Sequence, residues 1–227
     1  MTHGEGRTRR RAITPGHALG AALRGMWAQS WRLFLANTAL SLGVLPFLVA
    51  ALWAPLALVG AALVAGPLAM ALMHCAVELV REDDLSLRCW PAGLRLHWRR
   101  GLALGAGCAL VVAAGVLAVA TYAGAGRIVL AAVVLYLLLA FGVYQLALWP
   151  LAVAERAAPL RTVARAAVDV VLRAPLPATL LALALLLVNA LGAAAALLPL
   201  LTLTLAFSSL AAAHFTLPRD PLQEAGS

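Results

Sequence analysis

The sequence predicts an all-α fold, a polytopic membrane helix bundle with about six transmembrane helices and cytoplasmic interfacial amphipathic helices. The first reason is composition: 64% of the 227 residues are hydrophobic and 11% are charged, against roughly 45–50% and 25% in soluble domains. No soluble core could bury that excess, so most of the apolar surface must face lipid. The second reason is that the apolar residues form bilayer-length runs separated by arginine-rich segments.

The charge and the cysteines argue against two other classes of protein. All 17 basic residues are arginines, and the formal net charge is +8. These arginines flank the apolar runs, where they set topology and attract anionic lipid headgroups, so we expect the lipid bilayer as a partner and no nucleic acid. The three cysteines, Cys75, Cys89 and Cys108, are odd in number and unpatterned, which argues against a disulfide framework.

The first third of the chain is predicted to contain a basic tail, an amphipathic helix and two spans. Residues 1–14 are polar and basic, and we expect them to be disordered. We do not expect them to form a secretory signal, because the first apolar run starts only near Leu33 and is too long. Residues 15–32 have helical amphipathic spacing. At about 1.5 Å per residue, the runs 33–53 and 56–79 each cover a hydrocarbon layer of roughly 30 Å.

The middle of the chain repeats this arrangement. Residues 85–100 form a second amphipathic segment, whose arginines cluster on one side of a helical wheel. The third span is predicted at 101–122, and its Gly101-xxx-Gly105 pair indicates a close contact with another helix. A short turn then leads to the fourth span at 128–152.

The last third contains one more amphipathic segment and an apolar run that is too long for a single crossing. The segment 155–173 is opened by Pro159, and the run extends over 177–217. We divide this run near Leu198-Pro199. The resulting prediction is spans at 178–197 and 200–215 and a polar tail at 218–227.

The arginines also predict the orientation. Arg127 is the single arginine in the turns on one side of the predicted bundle, and all the others lie on the opposite side. Positively charged loops stay in the cytoplasm, so both termini are expected to be cytoplasmic. The chain is therefore predicted to form one transmembrane domain over 15–217, a multi-pass protein of the inner (plasma) membrane.

Several short motifs resemble the YesL-like family of small bacterial integral membrane proteins, a domain of unknown function. The motifs are Asn37 with Pro46, 66–72 (GPLAMAL), 81–84 (REDD), Trp90, 94–100 (LRLHWRR), Tyr144 and 163–173. The chain departs from the family by carrying arginine where relatives often have lysine, and by its longer basic N-terminus. The resemblance implies a bacterial inner membrane and a loose association with sugar uptake, and it supplies no catalytic residue.

Polar residues inside the spans are candidates for a ligand site. His74 and Glu78 are four residues apart and share one face of a helix. They are either a proton-binding or ligand-binding pair or a structural contact, since both lie close to the charged end of the span. Asn37, Gln145 and Asn189 either line a polar pathway or form hydrogen bonds between helices.

The sequence does not predict an enzyme, a cofactor or a metal site. His74, Cys75, Cys89 and His97 include suitable metal ligands, but their spacing matches no metal motif, and adjacent side chains point in different directions. Ser208, Ser209 and His214 do not form a hydrolase signature. No phosphate-binding or dinucleotide-binding motif is present.

Two functional classes stay open. In the first, the protein is an accessory or regulatory component that binds a membrane transporter subunit or a cytoplasmic protein. The candidate residues for docking a partner or lipid are Glu82, Asp83, Asp84, Arg88, Arg95, Arg99 and Arg100. In the second, it is a small secondary transporter or permease, because Gly66-Pro67 suggests an interrupted helix of the kind that frames substrate sites. The sequence does not indicate the oligomeric state.

Overall fold

A computed structural model of the chain describes residues 14–50, 53–54, 57–82, 85–86, 88–194 and 203–217. The described residues form helices and no strands, which confirms the predicted helical bundle. The helices are α1 (Pro15–Ala28), α2 (Ser30–Ala50), α3 (Ala57–Glu82), α4 (Cys89–Gly124), α5 (Ile128–Ala154), α6 (Leu160–Arg173), α7 (Pro175–Ala194) and α8 (Leu205–Thr216).

Four helices of the described part are long and apolar enough to cross a membrane. They cover Val59–Glu82, Cys89–Gly124, Ile128–Ala154 and Pro175–Gly192. The fold is therefore compatible with a multi-pass membrane protein. The helix α2 has 21 residues and α8 has 12. The predicted division at Leu198-Pro199, the tail at 218–227 and most of the N-terminal segment lie outside the described residues.

The helix α3 lies at the centre of the bundle and packs against α2, α4, α5 and α8. Most of its apolar length is buried, whereas the most apolar stretches of α4 and α5 bury few of their residues. Large apolar side chains such as Leu110 and Leu117 on α4 and Val129 and Leu137 on α5 project outward. Exposed apolar surface of this extent is the surface that a lipid environment would cover.

Residues 89–100 of the amphipathic segment and the third span are parts of one helix, which corrects the prediction that the two are separate. The helix α4 contains 36 residues, so at 1.5 Å per residue it is roughly 54 Å long, well beyond the hydrocarbon thickness. Pro91 does not break it, because this residue lies in the first turn, where a proline costs no intrahelical hydrogen bond. The arginine-rich part is thus rigidly joined to an apolar span.

The other two amphipathic helices are separate, as predicted. Pro15 is the first residue of α1, and Pro159 directly precedes α6. Gln29 alone separates α1 from α2, and Ala174 alone separates α6 from α7. Each amphipathic helix therefore leads into the next apolar helix with almost no linker.

The helices α3 and α4 cross with their backbones in contact at three glycines. A Cβ atom added to Gly101 would lie 2.6 Å from the Cα of Pro67, and one added to Gly105 would lie 2.6 Å from the Cα of Gly66. Both distances are too short for a real side chain, so the contact requires glycine. The close contact predicted for Gly101 and Gly105 is confirmed, and its partner is the Gly66-Pro67 segment.

The same contact corrects the expectation of an interrupted helix. The helix α3 continues through Pro67 from Ala57 to Glu82. Neighbouring helices can satisfy the carbonyl that a proline leaves unpaired in a membrane helix. The role of Gly66-Pro67 in this structure is close packing against α4, so it no longer indicates a transport pathway.

Candidate functional site

Five polar or thiol side chains meet between α3 and α4 near the charged ends of both helices. We call His74, Cys75, Glu78, Cys89 and His97 the α3–α4 polar cluster. The Nε2 atom of His74 lies 3.0 Å from Oε1 of Glu78. The thiol of Cys89 lies close to both Cys75 and Glu78. His74, Glu78 and Cys89 each offer one ligand atom, and these three atoms lie within 4.8 Å of one another.

The helix crossing explains why these residues meet. From the crossing at Gly101, the buried residues of α4 recur every fourth position at His97, Gly93 and Cys89. The corresponding steps along the antiparallel helix α3, starting at Gly66, reach His74 and then Glu78. The register of the glycine contact therefore places His74 opposite Gly93, and Glu78 opposite Cys89.

Gly93 makes room for His74. A Cβ atom added at Gly93 would lie 2.6 Å from Cδ2 and 2.8 Å from Cβ of His74. The imidazole therefore occupies space that any other residue at position 93 would fill. Such a contact holds the ring between the two helices and limits its orientation.

His97 lies one turn further into the interface. It is 2% exposed, and its ring centroid is 5.2 Å from that of His74. Its Nδ1 atom is buried and has no hydrogen-bond partner among the residues that the structure describes. An unpaired buried nitrogen is costly, so this atom marks a position where a further polar group would be stabilising.

A small cavity borders the cluster on the side of α2. It has a volume of about 220 Å³ and is lined by Cys75, Arg32, Trp90 and mainly apolar side chains. The Nε1 atom of Trp90 is buried and lacks a hydrogen-bond partner in the described part of the chain. Cys75 thus belongs to both the polar cluster and the lining of this cavity.

The three candidate amides lie on other helices than His74 and Glu78. Asn37 is fully buried on α2. On α5, the Oε1 atom of Gln145 accepts a hydrogen bond of 2.8 Å from Nε1 of Trp149. On α7, the Nδ2 atom of Asn189 donates to Oγ of Ser208 on α8, also at 2.8 Å. Gln145 and Asn189 therefore make structural hydrogen bonds, and that of Asn189 joins two helices.

The arginines just before and within the first turns of α4 divide into two groups. Arg88, Arg95 and Arg99 are exposed, and we call them the arginine face. The guanidinium of Arg99 lies 5.2 Å from the ring centroid of Trp98, which is itself about half exposed. Glu82 is exposed at the end of α3, and Asp83 and Asp84 lie outside the described residues.

Arg100 belongs to the second group, because its guanidinium binds carbonyls of another helix. Its Nη1 atom donates to the carbonyl oxygens of Ala152 at 3.0 Å and Glu155 at 3.1 Å. Its Nη2 atom donates to the carbonyl of Ala158. Arg100 therefore caps the end of α5 and holds the connection to α6, where a cation also meets the negative end of the helix dipole.

Arg32, near the start of α2, is a second arginine whose guanidinium binds a carbonyl of another segment. It donates to Oε1 of Gln29 at 3.1 Å and to the carbonyl of Leu85, just before α4. The sequence did not predict that these two arginines donate hydrogen bonds to backbone carbonyls inside the protein. A helical wheel gives the direction of a side chain, but it does not show which carbonyls of another segment lie in that direction. The one sequence feature that could have indicated these contacts is that each arginine lies next to an apolar run.

No known protein family, curated protein or solved structure matches this chain. The resemblance to the YesL-like family therefore stays a prediction.

Proposed function

We propose that this protein is a non-enzymatic accessory component of a bacterial inner-membrane assembly, and that it recruits its partner through the arginine face of α4. The observation that carries the proposal is that Arg95 and Arg99 are exposed on the same continuous helix as an apolar span, and that the exposed Arg88 directly precedes this helix. Such a helix holds a charged surface at a fixed position relative to the bilayer. If the YesL-like resemblance and its link to sugar uptake are correct, the partner is a transporter subunit.

The choice of a protein partner rests on charge pattern. Anionic lipid attracts each arginine by about 1 kcal/mol, which is enough to hold the surface near the membrane. Lipid attraction does not require the acidic residues that precede α4 in the sequence, of which Glu82 is exposed at the end of α3. A negative patch followed by a positive one selects a protein surface of complementary pattern better than a uniformly anionic membrane does.

Reversing two charges of this surface tests the proposal. We expect Arg95→Glu with Arg99→Glu to insert normally but to lose a membrane or cytoplasmic partner that cross-links to the wild type before lysis. Recovery of the partner should fall by at least about tenfold, because like charges would now face each other. Quantitative mass spectrometry after purification in mild detergent provides the measurement.

The matched control is Arg95→Lys with Arg99→Lys, which keeps both charges and should keep the partner. Equal recovery with the reversed and the charge-conserving variants would contradict the docking role. If the wild type brings down nothing specific and the purified protein moves a solute across liposomes, the transporter alternative replaces this proposal.

The proposal includes six spans, with α2 and α8 as parts of the first and last. The helix α2 has 21 residues and is therefore about 30 Å long, enough to cross the hydrocarbon layer. Reporter fusions after Pro55, Gly126 and Pro199 should report the exterior, and those after Asp84, Pro159 and Leu217 the cytoplasm. The reason is that Arg127 is the one arginine in the predicted exterior turns, whereas positively charged loops stay in the cytoplasm. A cytoplasmic signal at Gly126 would contradict the topology.

A further inference from the structure

The strongest unassigned feature of the molecule is the chemistry of the α3–α4 polar cluster. An imidazole, a carboxylate and a thiol offer their ligand atoms within 4.8 Å of one another, between two helices. These three groups are the nitrogen, oxygen and sulfur ligands that proteins use for zinc. They are partly or fully buried: the side chains of His74 and Glu78 are 12% and 32% exposed, and Cys89 is 3% exposed.

We propose that His74, Glu78 and Cys89 bind one divalent transition-metal ion of the Zn²⁺ class. Ligand atoms around tetrahedral zinc lie about 3.4 Å apart. The 3.0 Å between His74 and Glu78 is already close to that spacing. Because no two of the three ligand atoms are more than 4.8 Å apart, the thiol of Cys89 needs to approach by no more than about 1 Å.

Charge favours the ion at this position. Binding releases the thiol proton, and the thiolate of Cys89 with the carboxylate of Glu78 then balances the two positive charges of the metal. A neutral site is much less costly inside a membrane protein than a carboxylate alone. The mixed donor set also excludes the hard cations Ca²⁺ and Mg²⁺, which prefer oxygen ligands throughout.

Two further features distinguish this site from a chance meeting of polar groups. Gly93 leaves space for the His74 ring and so fixes the position of one ligand. The buried Nδ1 atom of His97 lacks a hydrogen-bond partner among the described residues, and its ring contacts that of His74. A metal-bound water or a small ring movement would give this nitrogen a partner, in the way that supporting groups orient ligands at metal centres.

The test uses Co²⁺ as a spectroscopic substitute for Zn²⁺ in the purified full-length protein, kept reduced and first stripped with a chelator. We expect one Co²⁺ per chain, visible bands typical of tetrahedral cobalt, and a near-ultraviolet thiolate-to-cobalt band. Zn²⁺ should displace the cobalt. Saturating Zn²⁺ should also raise the melting temperature of the wild type, because it binds only the folded state.

Variants of the ligands and one matched cysteine make the result specific. Cys89→Ser should remove the thiolate band, and Glu78→Gln should weaken Co²⁺ binding by at least about tenfold, since even supporting residues cause losses of this size. Cys108→Ser is the control, because Cys108 lies on the same helix about five turns away and is not among the three ligand residues. Its spectrum and affinity should equal those of the wild type.

Size-exclusion profiles establish that each variant is folded, and Glu78→Gln provides a near-isosteric test if Cys89→Ser is unstable. Wild-type protein that binds Co²⁺ without a thiolate band would overturn the proposal. Equal affinity in the wild type and Glu78→Gln would do the same. Neither result would affect the docking role, because the arginine face contains none of the three ligands.

Discussion

Gly101→Ala is expected to destabilise the protein more than any other single methyl addition on α4. The added Cβ would lie 2.6 Å from the Cα of Pro67 and 2.9 Å from the carbonyl oxygen of Gly66. Both obstacles are backbone atoms, so no side chain can rotate away, and the helices must separate. We expect a loss at the upper end of the about 1–3 kcal/mol that overpacking costs. Thermal unfolding in detergent, followed by size-exclusion chromatography, measures this loss.

Gly107→Ala is the matched control on the same helix. A Cβ atom added at Gly107 meets no atom within 4 Å, so only the higher helix propensity of alanine should matter, and stability should be unchanged or slightly raised. Gly101→Ala should also weaken metal binding, because separation of α3 and α4 would move Cys89 away from His74 and Glu78. Equal melting temperatures for the two variants would contradict the close helix contact.

The helix crossing shows what the sequence could and could not predict. Hydropathy, arginine placement and prolines predict the helices well, because each of these signals acts within one segment. The Gly101-xxx-Gly105 pair predicts a close contact but does not identify its partner. Once Gly66 is recognised as that partner, counting in steps of four along two antiparallel helices places Gly93 at His74 and Cys89 at Glu78.

The pairing of α3 and α4 in steps of four from Gly66 and Gly101 could have predicted the polar cluster. In the sequence, His74 and Cys89 are 15 positions apart, and this separation matches no known metal-binding motif. Their proximity depends on how α4 rotates against α3, and this rotation is set by backbone contact at the glycines, several turns away. The continuity of α4 was missed for a related reason, because a change from amphipathic to apolar composition marks a change of environment and need not mark a helix boundary.

The exposed and internal arginines illustrate the same limit. The helical wheel correctly groups Arg88, Arg95 and Arg99, and these side chains are exposed. It also separates Arg100 from them by about 100–140°, yet it does not reveal where Arg100 points. That depends on the end of α5, more than fifty residues later, whose carbonyls supply the hydrogen-bond acceptors.

Removing the guanidinium of Arg100 should therefore cost far more than removing that of its neighbour Arg99. In Arg100→Ala, the carbonyls of Ala152, Glu155 and Ala158 lose the guanidinium as a donor at the end of α5. Hydrogen bonds to charged groups contribute about 1.5–3 kcal/mol each. The three bonds share one side chain and are partly exposed, so we expect a total loss of about 2–3 kcal/mol.

Two further variants separate this cap from general charge effects. Arg100→Lys should recover only part of the loss, because an ammonium lacks the planar fork that reaches several carbonyls. Arg99→Ala removes an equal charge but only an exposed cation–π contact, worth about 0.5–1 kcal/mol.

Hydrogen exchange provides the local measurement. The amides of Glu155 and Ala158 donate to Leu151 and Glu155 in the native connection, and they should exchange faster in Arg100→Ala than in Arg99→Ala. The cause is that loss of the cap frees the end of α5 and the turn before α6 to open locally. If the two variants have equal stability and equal exchange at these amides, Arg100 is not the cap of α5 and belongs with the exposed arginines of the docking surface.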